Sequence, residues 1–373
     1  MKRSLLAAAL MSAGVVAHAQ SSVTLYGRLD AGIEYINGLP NNSYTGSTSR
    51  WRQESGDWGT SLWGIKGSED LGGGNKAVFQ LEGAFSTANG SFGLPGSIFD
   101  RIANVGLSND QFGTALLGRQ LQIANGDWDF DPFGQSNWSS ASLVRGRNWE
   151  HTSNNISYQS PKLYGFDVFG QYGLSNSTNW NAGASGAATG RTDGLQLTYT
   201  NSLFQLRGIY DEIRDPLNGQ LDNPFTASRE YFVGGNLFLG RFKVQAAYTA
   251  ERTSGGVVTP AGSPTAPTTA DLEWGGVTWQ ATTAAALIAA VYHVNANNGG
   301  GNATIYTIGG TYNLSKRTLL DFQVATVRNS SSANFGLDAN NEGPGGLSDG
   351  VYNENPLQGH SQTGAYAGIQ HSF

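Results

Sequence analysis

A repeated alternation of apolar and polar residues constrains the fold of this chain more than any other feature. Within residues 23–35, Val23 and Leu25 lie on one face of the predicted strand, and Arg28 and Asp30 lie on the other. A period of two residues indicates a β-strand whose two faces meet different surroundings. The charged face requires water, and the apolar face requires a cover of protein or lipid.

The same pattern recurs along the chain and predicts sixteen strands, an even number. The connections between them are alternately short and long. This arrangement is typical of an antiparallel transmembrane β-barrel with short periplasmic turns and long external loops, and we predict that all-β fold. A soluble β-sandwich or a solenoid is the alternative. The predicted strands span residues 23–35, 58–69, 75–88, 98–108, 112–120, 152–161, 164–174, 191–201, 203–213, 229–240, 241–252, 271–280, 285–295, 303–314, 317–329 and 361–373.

The first nineteen residues have the features of an export signal. A basic start is followed by an apolar run and by the small-residue motif Ala17-His18-Ala19. A transmembrane anchor is the alternative, but the apolar run is shorter than the roughly 20 residues that a spanning helix needs. We therefore predict a cleaved signal peptide at residues 1–19 and a single barrel domain at residues 20–373.

The composition excludes several other classes of protein. The net charge is −6, which argues against a nucleic-acid partner. Cysteine is absent, so disulfides cannot stabilise an exported chain of this sequence. The few histidines lie on separate segments without a neighbouring nucleophile motif or a metal-ligand spacing. We therefore expect no enzymatic activity, no cofactor and no metal site.

Residues 121–150 interrupt the alternation. Asp127, Asp129 and Asp131 occupy alternate positions in this segment, followed by Arg145 and Arg147. At about 30 residues it is far longer than a typical connection, and long loops of this kind are usually functional or disordered. Its several tryptophans and phenylalanines argue against disorder because they provide side chains to pack. We predict that this loop folds into the barrel and narrows it; a solvated loop face is the alternative interpretation of the three acids.

Several motifs, in their order and spacing, resemble the general trimeric porins of Gram-negative outer membranes, and the β-proteobacterial branch most closely. The resemblance covers essentially the whole chain after the signal segment. The motifs are Ser22-Val23-Thr24-Leu25-Tyr26-Gly27, Trp63-Gly64-Ile65-Lys66-Gly67-Ser68-Glu69-Asp70-Leu71-Gly72, Val105-Gly106-Leu107, Leu117-Gly118-Arg119-Gln120, Leu314-Ser315-Lys316-Arg317-Thr318 and the terminal Phe373.

The resemblance implies a homotrimer of sixteen-stranded barrels in the outer membrane, in contact with membrane lipid and lipopolysaccharide. Each barrel would hold a water-filled pore for ions and small hydrophilic solutes. It also implies that acids on the inward third loop face a ladder of cations on the wall. Position by position, the ladder falls on Arg28, Arg101 and Arg147, with Arg145 close enough to substitute.

The chain departs from the family pattern at three places. Leu62 stands where the family usually has an arginine, and it shares a face with Lys66, so we expect both side chains in the lumen. The family's Pro-Glu-Phe-Gly is here Asp131-Pro132-Phe133-Gly134, so the acid has moved by one residue. Simple alternation would direct Arg101 to lipid, which costs about 2–4 kcal/mol at the midplane. We expect a bulge or an early strand start to turn Arg101 inward.

The sequence therefore predicts a passive outer-membrane channel, with opposed acids and arginines setting a transverse field at its narrowest section. A solute-specific channel is the nearest alternative, and an outer-membrane barrel enzyme is a more distant one. The sign of ion selectivity stays open. The acidic net charge and Leu62 favour cations, whereas the wall arginines favour anions.

Overall fold

The structure is a computed structural model that describes residues 22–41, 43–134, 136–144, 147, 149–174, 191–214, 219, 221, 224–225, 228–254, 267–337 and 354–373. These residues form seventeen strands that join into one antiparallel sheet. None of the helices in these ranges is long and apolar enough to cross a membrane. The predicted signal peptide, residues 1–19, lies outside the described residues. The strands are β1 Ser22–Pro40, β2 Ser47–Glu54, β3 Leu62–Gly72, β4 Asn75–Ala84, β5 Ile102–Asn109, β6 Gly113–Leu121, β7 His151–Gln159, β8 Phe166–Gly173, β9 Thr192–Thr200, β10 Phe204–Ile213, β11 Arg229–Leu239, β12 Phe242–Arg252, β13 Thr269–Gln280, β14 Ala285–Ala296, β15 Gly301–Asn313, β16 Thr318–Asn329 and β17 Gln362–Ser372.

The sheet closes on itself because the last strand pairs with the first. The register between β1 and β17 runs from Arg28 opposite Ser372 to Ile36 opposite Gly364. At the chain end, the Gly27 N–H donates to the Phe373 carbonyl at 3.2 Å, and the Phe373 N–H donates back to the Gly27 carbonyl at 3.1 Å. Closure removes the unpaired sheet edges that lipid could not satisfy. The predicted closed barrel is confirmed.

The seventeen strands form a sixteen-stranded wall because β2 and β3 lie end to end beside β1 and together act as one strand. The first part of β1 pairs with β3, and its second part pairs with β2. Residues 55–61, between these two strands, leave the ladder. The alternation predicts no strand within residues 36–57, although these residues contain the end of β1 and all of β2. Strand β2 was missed because it is polar and charged, so it lacks the apolar face by which the other strands are recognised.

The outer face of the barrel carries an exposed apolar band. Side chains such as Leu25, Leu195 and Ile308 point outward on this band, as the alternation predicts. Near the short turns, the rings of Phe242 and Trp279 stack with centroids 6.3 Å apart. Aromatic girdles of this kind mark the membrane interface of outer-membrane barrels.

The hydrophobic core lies inside the barrel. On β13 to β16, the inward side chains near the long loops are apolar and fully buried, including Leu272, Ile305 and Val327. They pack in one cluster with Trp138 of the loop after β6 and with Phe335 of the loop after β16. Toward the long loops, loop side chains therefore fill this side of the lumen.

Candidate functional site

The loop between β6 and β7 enters the barrel as a 3₁₀ helix, Ile123–Phe130, that is anchored to the wall. The backbone N–H of Ile123 donates to Gln171 Oε1 on β8 at 2.8 Å. At the other end of the helix, Trp274 Nε1 on β13 donates to the Phe130 carbonyl at 3.0 Å. The loop therefore crosses the lumen from one wall to another, and its predicted inward folding is confirmed.

Glycines on the wall give the loop side chains room to approach. A Cβ built on four of them would come within 2.8 Å of a loop side chain, closer than real Cβ atoms approach, and a Cβ on a fifth would come to 3.0 Å, which is a tight contact. Each of these glycines therefore leaves a notch in the wall that a loop side chain fills. Larger residues at these positions would displace the loop. The pairs, with the distance from the built Cβ to the nearest loop side-chain atom, are Gly194 with Ile123 at 2.5 Å, Gly234 with Phe130 at 2.7 Å, Gly276 with Pro132 at 2.5 Å, Gly309 with Phe133 at 2.8 Å and Gly364 with Trp138 at 3.0 Å.

Asp131 fastens the loop. Its side chain is buried and accepts hydrogen bonds from the Tyr292 hydroxyl at 2.7 Å, the Phe133 N–H at 2.8 Å and the Ser140 N–H and hydroxyl. Burial raises the pKa of Asp131 above its usual range, and the donors from Ser140 and Tyr292 oppose that rise. A carboxylate with this many donors is a structural anchor.

Arg147 is a second buried anchor. Its side chain is 1% exposed, and its guanidinium lies 2.8 Å from Asp211 Oδ2, 3.4 Å from Glu230 Oε2 and 3.8 Å from Glu251 Oε1. Burial alone would lower the pKa of Arg147, but these three carboxylates raise it above its usual value. The sequence reading placed Arg147 on the pore wall as a lumen cation. It instead joins the end of the loop to β10, β11 and β12, because three inward acids attract it there. Arg145 lies outside the described residues.

Asp127 is also buried, on the side of the loop helix that faces these acids. Burial raises the pKa of Asp127 well above its usual range, and the negative charges of Glu230, Asp131 and Asp211 raise it further. The prediction gave Asp127, Asp129 and Asp131 a common role at the constriction, but the structure buries Asp127 and Asp131 and exposes Asp129. A 3₁₀ helix has three residues per turn, so Asp127 and Asp129 point to different sides of it.

Asp129 is the acid of this set that reaches the passage. Its side chain is 60% exposed, and its Oδ2 lies 2.6 Å from Arg207 Nη1 on β10. The backbone carbonyl of Asp129 accepts from Asn236 Nδ2 at 3.0 Å, Gln245 Nε2 at 3.1 Å and Lys243 Nζ at 3.4 Å. The charge of Asp129 is thus balanced by Arg207. Within the described residues, Lys243 has no carboxylate oxygen within 4.0 Å.

Arg28 lies on the inward face of β1, beside the broken strand. Its Nε donates to the Thr60 carbonyl at 2.8 Å. Gly59 lies directly against it, because a Cβ on Gly59 would be 2.9 Å from Arg28 Cζ. No carboxylate oxygen of the described residues lies within 4.0 Å of this guanidinium. The buried Asp30, on the same face, is held by the Tyr366 hydroxyl and Gln370 Nε2 at 3.1 and 3.0 Å.

Arg101 lies just before β5, which begins at Ile102, so strand alternation does not decide its direction. Its Nε donates to Glu82 Oε1 at 2.7 Å, and both side chains are about 8% exposed. Glu82 belongs to the inward face of β4, since Tyr26 and Lys66 lie on the same side of the wall. Arg101 therefore turns inward, although Glu82 balances its charge.

Leu62 and Lys66 both lie on the inward face of β3. Leu62 is directly opposite Arg28 in the ladder, and directly opposed residues share a face. Lys66 is opposite Thr24, and its Nζ lies 5.1 Å from the centroid of the Tyr26 ring. The position where the family usually has an arginine is therefore apolar in this lumen.

Three chambers lined by described residues follow one another along the interior, and the middle one is the smallest of them. The outer one, toward the long loops, has a volume of about 370 Å³, the middle one about 110 Å³ and the inner one about 670 Å³. Arg101 and Trp149 line both the outer and the middle chambers. Arg28, Trp58 and Trp128 line both the middle and the inner chambers. We name the middle chamber the eyelet.

Trp58, Trp128 and Trp149 are site residues that the sequence reading did not assign. Trp58 belongs to residues 55–61, which leave the wall and dock on the loop. The Asn137 N–H donates to the Asp57 carbonyl at 3.1 Å, and Asn137 Nδ2 donates to Asp57 Oδ1 at 2.6 Å. Two glycines in this stretch, Gly56 and Gly59, were the available signal that the strand breaks.

The chain is similar to known proteins along most of its length. Residues 5–332 match the family model described as Gram-negative porin. An outer membrane porin protein of Bordetella pertussis is 33% identical over 291 residues, which cover 72% of this chain and 74% of that protein. Outer membrane porin protein 32 of Delftia acidovorans is 30% identical over 383 residues, with complete coverage of both chains.

Two solved structures are also similar to this chain. The anion-selective porin from Comamonas acidovorans superposes with a TM-score of 0.74 at 25% identity, covering 95% of this chain and all of that one. The outer membrane protein OmpT of Vibrio cholerae superposes with a TM-score of 0.64 at 12% identity, which shows a shared fold.

Proposed function

This chain belongs to the Gram-negative porin family and forms an outer-membrane channel for passive diffusion of ions and small hydrophilic solutes, and we propose that its constriction prefers anions. The loop after β6 would act as the constriction loop, with Asp129 as its pore-facing acid. Arg28 and Lys243 would be the wall cations that set the preference, and Asp127, Asp131 and Arg147 would hold the loop in place.

The balance of charge along the passage carries this proposal. Asp129 is neutralised by Arg207, and Arg101 is neutralised by Glu82. Arg28 and Lys243 face the inner chamber without a carboxylate partner in the described part of the chain. The charge left without a close partner in the eyelet and the inner chamber is therefore positive. In a partly dry constriction, such charges act more strongly than in bulk water.

The similar porin from Comamonas acidovorans is titled anion-selective, and its 25% identity extends over nearly the whole chain. This similarity supports the same sign here. The acidic net charge of the whole chain does not measure the charge at the passage, because acids such as Asp211, Glu230 and Glu251 are buried beside Arg147.

The double variant Arg28→Gln with Lys243→Gln tests the proposal. We expect its chloride-to-potassium permeability ratio to fall at least threefold, since a charge about 4 Å from a passing ion contributes about 1 kcal/mol even in bulk water. Lys316→Gln is the matched control, because Lys316 lies exposed at a turn. An unchanged ratio in the double variant, or an equal loss in the control, would refute the assignment.

The assembly and the targeting of the protein follow from the same family membership. We propose a homotrimer and a signal peptide that is cleaved before Gln20. Heat-dependent migration of the purified protein in a denaturing gel and sequencing of its mature amino terminus test these two points. Monomeric migration without heating, or a mature protein that retains residues 1–19, would contradict them.

A basic cluster on the outer face supports contact with lipopolysaccharide. Glu212 is surrounded by Arg191 at 3.1 Å, Arg214 at 2.7 Å and Arg229 at 3.0 Å, near the long-loop end of the wall. Arg191 also lies 2.6 Å from Asp193, so three cations face two carboxylates and leave one net positive charge that suits a lipid phosphate. The variant Arg191→Gln with Arg229→Gln should retain less lipopolysaccharide after purification. Unchanged retention would count against this contact.

Two other functions are less well supported. An enzyme is the first, and it has little support because the family model and the similar proteins are porins. We therefore propose no catalytic activity. A channel specific for one solute is the second candidate, and saturable block of the current by a single solute would favour it.

A further inference from the structure

The eyelet is lined by three tryptophans together with two arginines. Trp58 comes from the break between β2 and β3, Trp128 from the loop helix and Trp149 from the end of the loop. Three separate segments thus bring a large apolar ring to the smallest of the three chambers in a channel for polar solutes. A filter based only on charge and width would need polar lining there and no aromatic rings.

The positions of the rings are supported by specific contacts and by backbone strain. Trp58 meets the Phe133 ring edge to face, with centroids 5.9 Å apart. Trp149 has a φ of 59°, in the left-handed region that a bulky residue adopts only at a cost of about 1–3 kcal/mol. All three rings are partly exposed, so each offers surface to a passing solute.

Arg28 supplies the polar end of the site. Its Nε donates a hydrogen bond to the Thr60 carbonyl. Its two terminal nitrogens have no carboxylate partner in the described residues. A guanidinium fork in this state matches a carboxylate group. The eyelet thus places a cation that can bind the anionic group of a solute beside rings that can contact its flat apolar part. The chamber has a volume of about 110 Å³.

We propose that the eyelet is a binding and selectivity site for small aromatic carboxylates, with the carboxylate on Arg28 and the ring against Trp58, Trp128 and Trp149. This proposal rests on the proposed anion preference, and it names the class of anion that we expect to bind most tightly in the eyelet. A solute that is both anionic and planar would pass through the eyelet in contact with its walls, and at millimolar concentrations it would reduce the chloride current.

The test uses the full trimeric channel in a planar bilayer and measures how carboxylates block the chloride current. Benzoate and cyclohexanecarboxylate carry the same charge and a six-membered ring, but only benzoate is aromatic. We expect benzoate to block about threefold to tenfold more tightly, the range that aromatic contacts supply. Benzylammonium, a cation with the same ring, should not block. Equal block by the two carboxylates would overturn the inference.

Two variants localise the effect. Trp128→Leu should remove most of the benzoate advantage while leaving cyclohexanecarboxylate block nearly unchanged. Trp279→Leu is the control, since Trp279 stacks on Phe242 at the outer face. An advantage that survives both Trp128→Leu and Trp149→Leu, or that is lost equally in the control, would overturn the assignment to the eyelet.

The reversal potential, measured on the same channels, separates this inference from the proposed function. An anion-selective channel that does not distinguish benzoate from cyclohexanecarboxylate would refute the aromatic site alone. A cation-selective channel would refute the anion preference and the aromatic site together.

Discussion

Asp129 Oδ2 lies 2.6 Å from Arg207 Nη1, and this contact removes the charge of the pore-facing acid from the passage. The pair joins the constriction loop to β10 across the lumen. Because Asp129 is 60% exposed, the contact contributes about 1 kcal/mol or less to stability, and its main consequence is electrostatic.

We predict that Asp129→Asn increases the anion preference of the channel. The substitution leaves Arg207 without its carboxylate, which adds one net positive charge to the inner chamber. The chloride-to-potassium permeability ratio should rise about twofold to fivefold in a bilayer reversal-potential measurement. Asp131→Asn is the comparison, because that side chain is buried. A larger selectivity change at Asp131 than at Asp129 would show that the pore-facing acid has been misassigned.

We predict that Gly234→Ala displaces the constriction loop. A Cβ there would lie 2.7 Å from Phe130 Cγ and 2.5 Å from Phe232 Cζ, and overpacking of this kind costs about 1–3 kcal/mol. Single-channel conductance should become larger or noisier. Gly208→Ala on β10 is the control, since its nearest neighbour is 3.9 Å away. Identical conductance for both variants would argue against the notch.

We predict that Asp127→Asn stabilises the channel, and more so at higher pH. Burial raises the pKa of Asp127 in the folded protein, so the folded state binds this proton more tightly than the unfolded state does. The wild type therefore loses stability as pH rises from about 4 through the folded pKa, and the asparagine variant does not. Thermal unfolding followed by circular dichroism at pH 4 and pH 9 measures the difference.

The control for this prediction is Asp110→Asn, at an exposed turn. Its melting temperature should differ from that of the wild type by a similar small amount at both pH values. If the advantage of Asp127→Asn is equal at pH 4 and pH 9, or larger at pH 4, the burial of an ionisable Asp127 in the folded state is wrong.

We predict that Leu62→Arg strengthens the anion preference and lowers the conductance. Leu62 lies opposite Arg28 on the inward face, so an arginine there adds a second cation and a longer side chain beside the eyelet. Ile65→Arg, on the opposite face of the same strand, would instead meet lipid at a cost of about 2–4 kcal/mol near the midplane. Unchanged selectivity and conductance in Leu62→Arg would exclude Leu62 from the lumen.

The barrel could be predicted from the sequence because strand alternation and connection length are local signals. The pairing of the chain end at Phe373 with β1 agrees with that prediction, and so does the inward folding of the loop. Strand β2 could not be recognised by the same rule, because its inward side chains are charged and its outward ones are mostly polar. The buried inner face of β14 had a signal in its nearly continuous apolar run, which is typical of a strand covered on both sides.

The site was less predictable because it depends on pairings between distant segments. The sequence predicts one constriction role for Asp127, Asp129 and Asp131, whereas the structure exposes Asp129 and buries the other two. The resemblance gave Arg147 to the pore wall, but Asp211, Glu230 and Glu251 hold it in a buried cluster. Which charges stay unbalanced, as at Arg28 and Lys243, is known only after every partner has been placed.

The reversal potential of the wild-type channel in a tenfold gradient of potassium chloride tests the central claim most directly. The unbalanced positive charge at Arg28 and Lys243 predicts a potential displaced toward the chloride equilibrium value. A potential displaced toward the potassium equilibrium value would contradict the account.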